Sequence, residues 1–230
     1  MPEDATPTES LPSGKRPKRA ITEIYGEDLG RILSLSDGVF AFALTLLALS
    51  LAVPAFNTQG LTPGQQSSHL AYLLQQDYNA FFGYAFAFVM IGVWWIVHHR
   101  TFQYVARYNS KLVWLNMVIL LQIAIMPFVL SVYNDYSSTQ VAVDLFAAVQ
   151  VSLGITTTVL WEYARRAKLL KKDVTDPIAW FFVRRGLYTS AVFALSIGLS
   201  FYNVTVAQVS WVLIIVIQAE LNRRGVEIPA

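Results

Sequence analysis

The chain has 230 residues, of which 55% are hydrophobic and only 14% are charged, and its formal net charge is +2. A soluble domain carries roughly 25% charged residues, so this deficit indicates a protein that lies in lipid. The small net charge argues against a nucleic-acid partner, and the absence of cysteine excludes disulfides, thiolate metal sites and a cysteine nucleophile.

The N-terminal segment 1–22 is polar, rich in Pro, Ser and Thr, and contains a basic cluster between Lys15 and Arg19. It lacks the pattern of a cleavable signal peptide. Its composition predicts a disordered cytoplasmic tail. A transmembrane domain is predicted over 23–222, followed by a second cytoplasmic tail over 223–230.

Six apolar segments are predicted to cross the bilayer, whose core requires roughly 17 to 25 apolar residues per helix. The first four are Ile32–Val53, Phe81–Val97, Leu112–Val132 and Leu145–Trp161. Region 186–219 carries no charge, and at about 1.5 Å per residue it is too long to cross once as a single helix. We therefore predict two short spans joined by a turn at Tyr202 and Asn203. The polar loop 57–79 has leucines that indicate a short interfacial helix.

The positions of the basic residues predict the orientation of these spans. All 17 Lys and Arg residues fall in the two tails, at the mouth of the first span, or in the segments after the second and fourth spans. The loops 54–80 and 133–144 and the turn at Asn203 contain none. Because Lys and Arg are enriched in cytoplasmic loops, we expect a multi-pass cell-membrane protein with both termini in the cytoplasm.

The first span differs from the others because it contains an ionisable residue, Asp37, and begins next to Arg31. A charged group at the centre of a span costs about 2.5–3.5 kcal/mol on insertion scales, so Asp37 is a candidate functional residue. The structural alternative is a buried polar pair that keeps the helices in register. The expected partners are His98 and His99, at the end of the second span.

An apolar stripe runs along the first span on the face that points away from Asp37, with Gly38 and Thr45 at its edge. Its members, which share one side of a helix at about 100° per residue, are Leu35, Phe42, Leu46, Leu49 and Val53. Such a face is compatible with a pore wall and with a lipid contact, and the sequence alone leaves both open.

Residues 31–47 resemble the first helix of the transmembrane protein 175 family, whose signature is Arg, three residues, then Phe-Ser-Asp. Here Arg31 is followed by Leu35-Ser36-Asp37, so leucine replaces the phenylalanine. The segments from Trp95 to Phe102 and from Asn116 to Phe128 also match, and together the three segments cover the first three spans.

The resemblance implies a potassium-permeable channel. Prokaryotic members of that family are single six-helix repeats that form homotetramers, and helix 1 lines the pore. The implied fold is therefore an all-α membrane protein with six transmembrane helices per chain, with K⁺ as the permeant ion and no cofactor, metal or catalytic residue. The chain lacks the Thr-Val-Gly-Tyr-Gly carbonyl filter of other potassium channels.

The resemblance also assigns roles to individual residues of this chain. It places the apolar pore constriction at Phe42, Leu46 and Leu49, with Thr45 as a polar layer. Family positions that connect helices near the cytoplasmic side correspond to Arg31, Ser36, Asp37, His98 and His99.

Three other functions are considered. A proton- or cation-coupled transporter would use groups such as Asp37, Asp144 and Glu162, but no inverted repeat or pair of broken helices is evident. An intramembrane enzyme is disfavoured because the His-Glu-x-x-His, P-loop and Gly-x-Ser-x-Gly motifs are absent. Adjacent His98 and His99 diverge by about 100° on a helix and make a poor metal pair. A purely structural membrane protein is the third.

Overall fold

The computed structural model describes residues 21–51, 55–76 and 78–223, which are helical almost throughout. The basic N-terminal cluster, Val53 of the apolar stripe and the C-terminal tail beyond Arg223 lie outside the described residues. The helices are α1 (Ile21–Leu46), α2 (Pro63–Gln76), α3 (Tyr78–Gln103), α4 (Ser110–Tyr136), α5 (Gln140–Arg166), α6 (Asp176–Ser200), α7 (Val204–Ser210) and α8 (Val212–Arg223). A short 3₁₀ turn, Leu47–Ser50, continues α1.

Five helical stretches in the described part of the chain are long and apolar enough to cross a membrane. They are Leu29–Leu49, Ala80–Gln103, Ser110–Tyr136, Gln140–Arg166 and Val204–Arg223. The sixth long helix, α6, has 25 residues but is less apolar because it contains Arg184 and Arg185. The expected all-α membrane protein is confirmed, and α6 completes the expected six-helix arrangement.

The turn predicted at Tyr202 and Asn203 is present between α6 and α7. The side chain of Asn203 caps α7 by accepting a hydrogen bond of 3.1 Å from the Val206 N–H. Asn is a preferred N-cap residue because its side-chain oxygen satisfies a free amide of the first helical turn. An N-cap residue, rather than a Gly or Pro, therefore divides the uncharged region 186–219 into two helical segments.

Two helices begin ten or more residues earlier than hydropathy predicts. The first starts at Ile21 instead of Ile32, and α6 starts at Asp176, ahead of the uncharged region that begins at Gly186. Hydropathy detects only the part of a helix that lies in lipid. Backbone hydrogen bonding continues each helix through polar and charged residues beyond that part.

The predicted interfacial helix is α2, whose described side chains are all at least partly exposed. Its N-terminus is a capping box. Gln65 Oε1 accepts a hydrogen bond of 2.9 Å from the Thr62 amide, and the Gln65 amide donates to Thr62 Oγ1 at 3.4 Å. This reciprocal arrangement satisfies two amides that would otherwise lack partners and explains why the helix begins at Pro63.

The core lies where α4 packs against α5 and, on its other side, against the inner face of α1. Its largest fully buried side chains include Phe40 of α1, Ile91 of α3, Met126 of α4 and Phe146 of α5. Leu47, in the turn after α1, is buried in the same cluster. The opposite face of α1 does not take part in this core.

Helices α5 and α6 approach closely because glycines face hydroxyl residues at their crossing. A Cβ atom at Gly154 would overlap Ser190 Oγ, and one at Gly186 would overlap Thr158 Oγ1. Each hydroxyl donates to the glycine carbonyl of its own helix, Thr158 at 2.7 Å and Ser190 at 3.0 Å. Small residues four positions apart are typical of tightly packed membrane helices.

We expect Gly154→Ala and Gly186→Ala each to destabilise the protein, because the added methyl group has no space without displacing a hydroxyl. The expected cost is about 1–3 kcal/mol, as for other overpacked sites. Thermal unfolding in detergent micelles measures it. Gly198→Ala is the matched control, since nothing lies within 4 Å of a Cβ there. Equal melting temperatures for all three variants would contradict the proposed steric role.

Candidate functional site

From Leu35 to Leu49, one face of α1 and of the 3₁₀ turn that follows it is exposed and packs against no other part of the described chain. Leu35, Phe42 and Leu49 are 52%, 65% and 80% exposed, and they recur every seven residues, or about two helical turns. The small residues between them on this face are also exposed, namely Gly38, Ala41, Thr45 and Ala48. Within the described residues, a single chain therefore leaves an apolar helix face without a protein partner.

The four residues predicted for the constriction and polar layer differ in how exposed their side chains are. Phe42, Thr45 and Leu49 are exposed on it, whereas Leu46 is half-buried at its edge. The Thr45 hydroxyl donates a hydrogen bond of 2.8 Å to the Phe42 carbonyl. Because its proton is used within the helix, the oxygen can present lone pairs to whatever lies opposite.

On the inner side of α1, a buried chain of hydrogen bonds joins three helices. Asn116 Nδ2 of α4 donates to Ser36 Oγ of α1 at 3.0 Å. Asn116 Oδ1 lies 2.8 Å from His98 Nε2 of α3. The amide oxygen can only accept, so Nε2 must carry the hydrogen. All three residues are buried, and we call them the Ser36–Asn116–His98 triad.

The hydroxyl of Ser36 completes the triad by donating to the Ile32 carbonyl of its own helix at 2.9 Å. The ring of His98 packs against Phe40 of α1 and Phe102 of α3, with centroid distances of 5.4 Å and 4.5 Å. The polar atoms are thus satisfied within an aromatic surrounding. Such enclosed networks specify one arrangement of helices, because each alternative leaves a buried donor or acceptor without a partner.

Asp37 is bonded to the predicted helix, but through a different residue than expected. Its Oδ1 accepts a hydrogen bond of 2.9 Å from Trp95 Nε1 of α3. The prediction of a direct bond to His98 or His99 was wrong. His99 instead stacks on the same indole ring at a centroid distance of 5.4 Å, and its Nε2 lies 3.1 Å from Gln103 Nε2.

Adjacent tryptophans of α3 anchor it to two different helices. While Trp95 donates to α1, Trp94 Nε1 donates to Gln150 Oε1 of α5 at 2.7 Å, in a buried contact. Neighbouring residues on a helix diverge by about 100°, so each indole N–H reaches a separate partner. This arrangement places α3 between α1 and α5.

The remaining predicted residue, Arg31, is exposed, and none of the described hydrogen bonds or ion pairs involves it. Of the predicted set, Ser36 and His98 meet through Asn116, and Asp37 and His99 meet at Trp95. Sequence reasoning named neither Asn116 nor Trp95 as a site residue, although an Asn within an apolar span is itself a signal of a polar contact. No group of three or more His, Asp or Glu side chains suited to a metal occurs among the described residues.

We expect Ser36→Ala to destabilise the protein by about 1–3 kcal/mol, because Asn116 Nδ2 loses its acceptor in a buried position. Thermal unfolding in detergent measures the change. Ser34→Ala is the matched control, since Ser34 is exposed on the same helix and only donates to the Gly30 carbonyl. The role assigned to the triad would be wrong if both variants melted at the wild-type temperature.

The triad and the exposed face of α1 lie in a region that is similar to known proteins. The sequence profile described as "Endosomal/lysosomal potassium channel TMEM175" matches residues 31–127, which contain α1 from Arg31 onward, all of α3 and the triad. A potassium channel from Streptomyces collinus is 30% identical over 179 residues, or 76% of this chain and 83% of the relative. A potassium channel from Chamaesiphon minutus is 34% identical over 152 residues, or 65% of this chain and 72% of the relative.

The fold is also similar to a solved structure. The crystal structure of a lysosomal potassium-selective channel TMEM175 homolog from Chamaesiphon minutus superimposes with a TM-score of 0.65 and 25% sequence identity. The match covers 85% of this chain and 99% of the solved chain. The similarity therefore extends over nearly the whole helical bundle.

Proposed function

The chain belongs to the TMEM175 family, and we propose that it forms a potassium-permeable cation channel whose pore is lined by α1. The observation that carries this proposal is the exposed apolar face of α1, opposite a buried polar network. Bacterial relatives of comparable length are named potassium channels. The polar network bonds the inner side of α1 to α3 and α4, and the face with Phe42 has no partner among the described residues.

Several copies of the chain are needed to enclose a pore, because no other described segment covers the exposed face of α1. We propose a homotetramer in which four α1 helices surround a central axis. Closed rings are the usual outcome when a chain associates through rotational symmetry. In such a ring the remaining exposed apolar surfaces, on α3 to α8, contact neighbouring copies and lipid.

In this arrangement Phe42 and Leu49 form two apolar rings roughly 10–12 Å apart along the axis, from the rise of about 1.5 Å per α-helical residue and about 2.0 Å per 3₁₀ residue. Thr45 supplies hydroxyl oxygens between them. Leu46, at the edge of the face, reaches the axis when α1 rotates slightly. An apolar ring resists ions because it removes hydrating water without replacing it, so widening of the ring opens the pore.

The polar residues of α1 then have a positioning role. Ser36 and Asp37 bond α1 to α4 and α3, and thereby set which side of the helix faces the axis. His98 and His99 hold the partners of these bonds in place. Arg31 lies near the start of the membrane-spanning part of α1, Leu29–Leu49, where it can contact an adjacent copy.

The channel proposal is tested by potassium flux into liposomes containing the purified wild-type protein. Native mass spectrometry of the same preparation is expected to show four chains per particle. Single-channel recording distinguishes a channel from a coupled transporter, because only a channel gives discrete openings. A slow, saturable flux without discrete openings would contradict the proposal.

We expect Phe42→Ala to raise potassium conductance several-fold, because removing the ring widens and wets the narrowest apolar layer. Planar-bilayer recording measures the change. Phe128→Ala is the matched control, since Phe128 is 60% exposed on α4, a helix that does not line the proposed pore. Unchanged conductance in Phe42→Ala would show that the constriction lies elsewhere.

We also propose that both termini and the basic connections face the cytoplasm. The α3–α4 and α5–α6 connections lie at the same end of the bundle, where the Ala106 amide donates to the Leu169 carbonyl at 2.9 Å. With the helix ends that flank them, the two connections carry 10 Lys and Arg residues, whereas the described residues between α1 and α3 and between α4 and α5 contain none. This distribution favours the cytoplasm as the side of the basic end.

Because the chain contains no cysteine, a single introduced cysteine can report which side of the membrane its connection faces. A membrane-impermeant maleimide is expected to label Ser138→Cys in intact cells, because Ser138 lies between α4 and α5 at the end opposite the basic connections. Asp173→Cys, between α5 and α6, is expected to react only after the membrane is permeabilised. The reverse pattern would overturn the proposed orientation.

A further inference from the structure

A cavity of about 310 Å³ lies between the α3–α4 and α5–α6 connections, away from α1. Five cationic side chains and one carboxylate contribute to its lining. They are Arg107, Arg165, Lys168, Lys171, Lys172 and Asp176. We call this feature the cationic cup.

The backbone of the cationic cup is held in place by pairing between the two connections. Val105 and Leu170 form an isolated antiparallel bridge. The Leu169 carbonyl accepts hydrogen bonds from the amides of Ala106 and Arg107 at 2.9 Å and 3.1 Å, and the Lys171 amide donates to the Tyr104 carbonyl at 2.8 Å. The cationic side chains therefore project from a preformed frame.

Most of the positive charge in the cationic cup has no counter-ion within the described chain. Arg165 is paired with Glu162, through contacts of 2.7 Å and 2.8 Å. None of the described ion pairs includes Arg107, Lys168, Lys171 or Lys172. Like charges so arranged repel one another, and this repulsion is relieved when an anion binds between them.

Lys168 adopts a backbone conformation that normally requires glycine. It follows α5 with φ = 56°, the left-handed region. Its amide donates to the Arg165 carbonyl and the Leu169 amide donates to the Ala164 carbonyl, which is the Schellman pattern of helix termination. The left-handed region is unfavourable for a residue with a Cβ. The strain at this position points to a use for the Lys168 side chain other than ending the helix.

A hydrogen bond couples the strained residue to the other connection. Arg107 Nη2 donates to the Lys168 carbonyl at 3.2 Å. The guanidinium is thereby fixed at the rim of the cationic cup with its other N–H groups available. A planar guanidinium beside several ammonium groups matches a tetrahedral oxyanion, which accepts hydrogen bonds on several oxygens at once.

We propose that the cationic cup binds a phosphate group, supplied either by the headgroup of an anionic phospholipid or by a free phosphate ion. The site is separate from the proposed pore and does not depend on ion conduction. Bound phosphate bridges the α3–α4 and α5–α6 connections and adds to the backbone pairing between them.

The test uses the full-length protein in a neutral detergent. Melting temperatures are measured with sodium phosphate against sodium chloride at equal ionic strength, and with phosphatidylglycerol against phosphatidylcholine. Native mass spectrometry counts bound lipid. We expect phosphate or phosphatidylglycerol to stabilise the wild-type protein, and Lys168→Gly or Lys171→Gln to weaken the binding about tenfold, as expected for loss of a charge-assisted hydrogen bond.

Three controls keep the outcome interpretable. Lys168→Gly removes the amine at a position that favours glycine, so without ligand it is expected to melt at or above the wild-type temperature. Lys171 is exposed, and replacing its side chain leaves its backbone bond intact. Arg184→Gln removes one charge from an exposed position on α6 outside the cavity, and is expected to bind as the wild type does.

The pattern of binding identifies the source of the phosphate group. Stabilisation by sodium phosphate assigns a soluble anion, and stabilisation by phosphatidylglycerol alone assigns a lipid headgroup. The proposal is overturned if neither ligand is preferred over its control. It is also overturned if Arg184→Gln weakens binding as much as Lys168→Gly, because the attraction would then come from diffuse surface charge.

Discussion

The orientation of α1 depends on the hydrogen bond between Asn116 and Ser36, at the centre of the triad. In lipid, apolar side chains gain little by moving from the bilayer to another helix, so apolar burial alone fixes a helix weakly about its own axis. A buried amide that donates to α1 and accepts from α3 removes this freedom. Rotating α1 by one residue, about 100°, would break the bond and leave buried polar atoms without partners.

The bundle uses two different physical means to hold its helices. At the crossing of α5 and α6, Gly154 and Gly186 allow close contact over an extended surface, which resists sliding because any shift creates overlap. By contrast, α1 is held on its inner side by a few polar bonds and by Phe40 and Leu47. Because α1 is held by a few contacts while α5 and α6 are tightly packed, α1 is suited to move while the rest of the bundle stays fixed.

Much of the fold follows from the sequence because lipid imposes simple requirements on it. Apolar length and the placement of Lys and Arg predicted the helices and a topology, and the turn at Asn203 was located from the length of an apolar run. The starts of α1 and α6 were misplaced, because helical hydrogen bonding continues past the edge of the apolar region. Asn203 itself was a usable signal, since it is a strong N-cap residue.

The candidate site was predictable in outline but not in its contacts. Helical periodicity placed Phe42 and Leu49 on one face, and that face is exposed in the structure. The partner of Asp37 was not predictable, because Trp95 and His99 lie one turn apart on the same helix and only the relative rotation of α1 and α3 decides between them. Whether the face lines a pore depends on contacts between copies, which the sequence of one chain does not specify.

The distribution of charge is compatible with both a cation pathway and the cytoplasmic orientation proposed for the basic end of the bundle. Positive residues near a pore mouth oppose cation entry, and in physiological salt their effect extends over about 8 Å. Of the 17 Lys and Arg residues, 10 lie in or beside the connections that follow α3 and α5, and four lie in the N-terminal segment ahead of α1. The cationic cup contains no residue of α1. The sequence of α1 itself has Glu23, Glu27, Asp28 and Asp37 against a single basic residue, Arg31. The helix proposed to line the pore is therefore net acidic in sequence, while most Lys and Arg residues of the chain lie outside it.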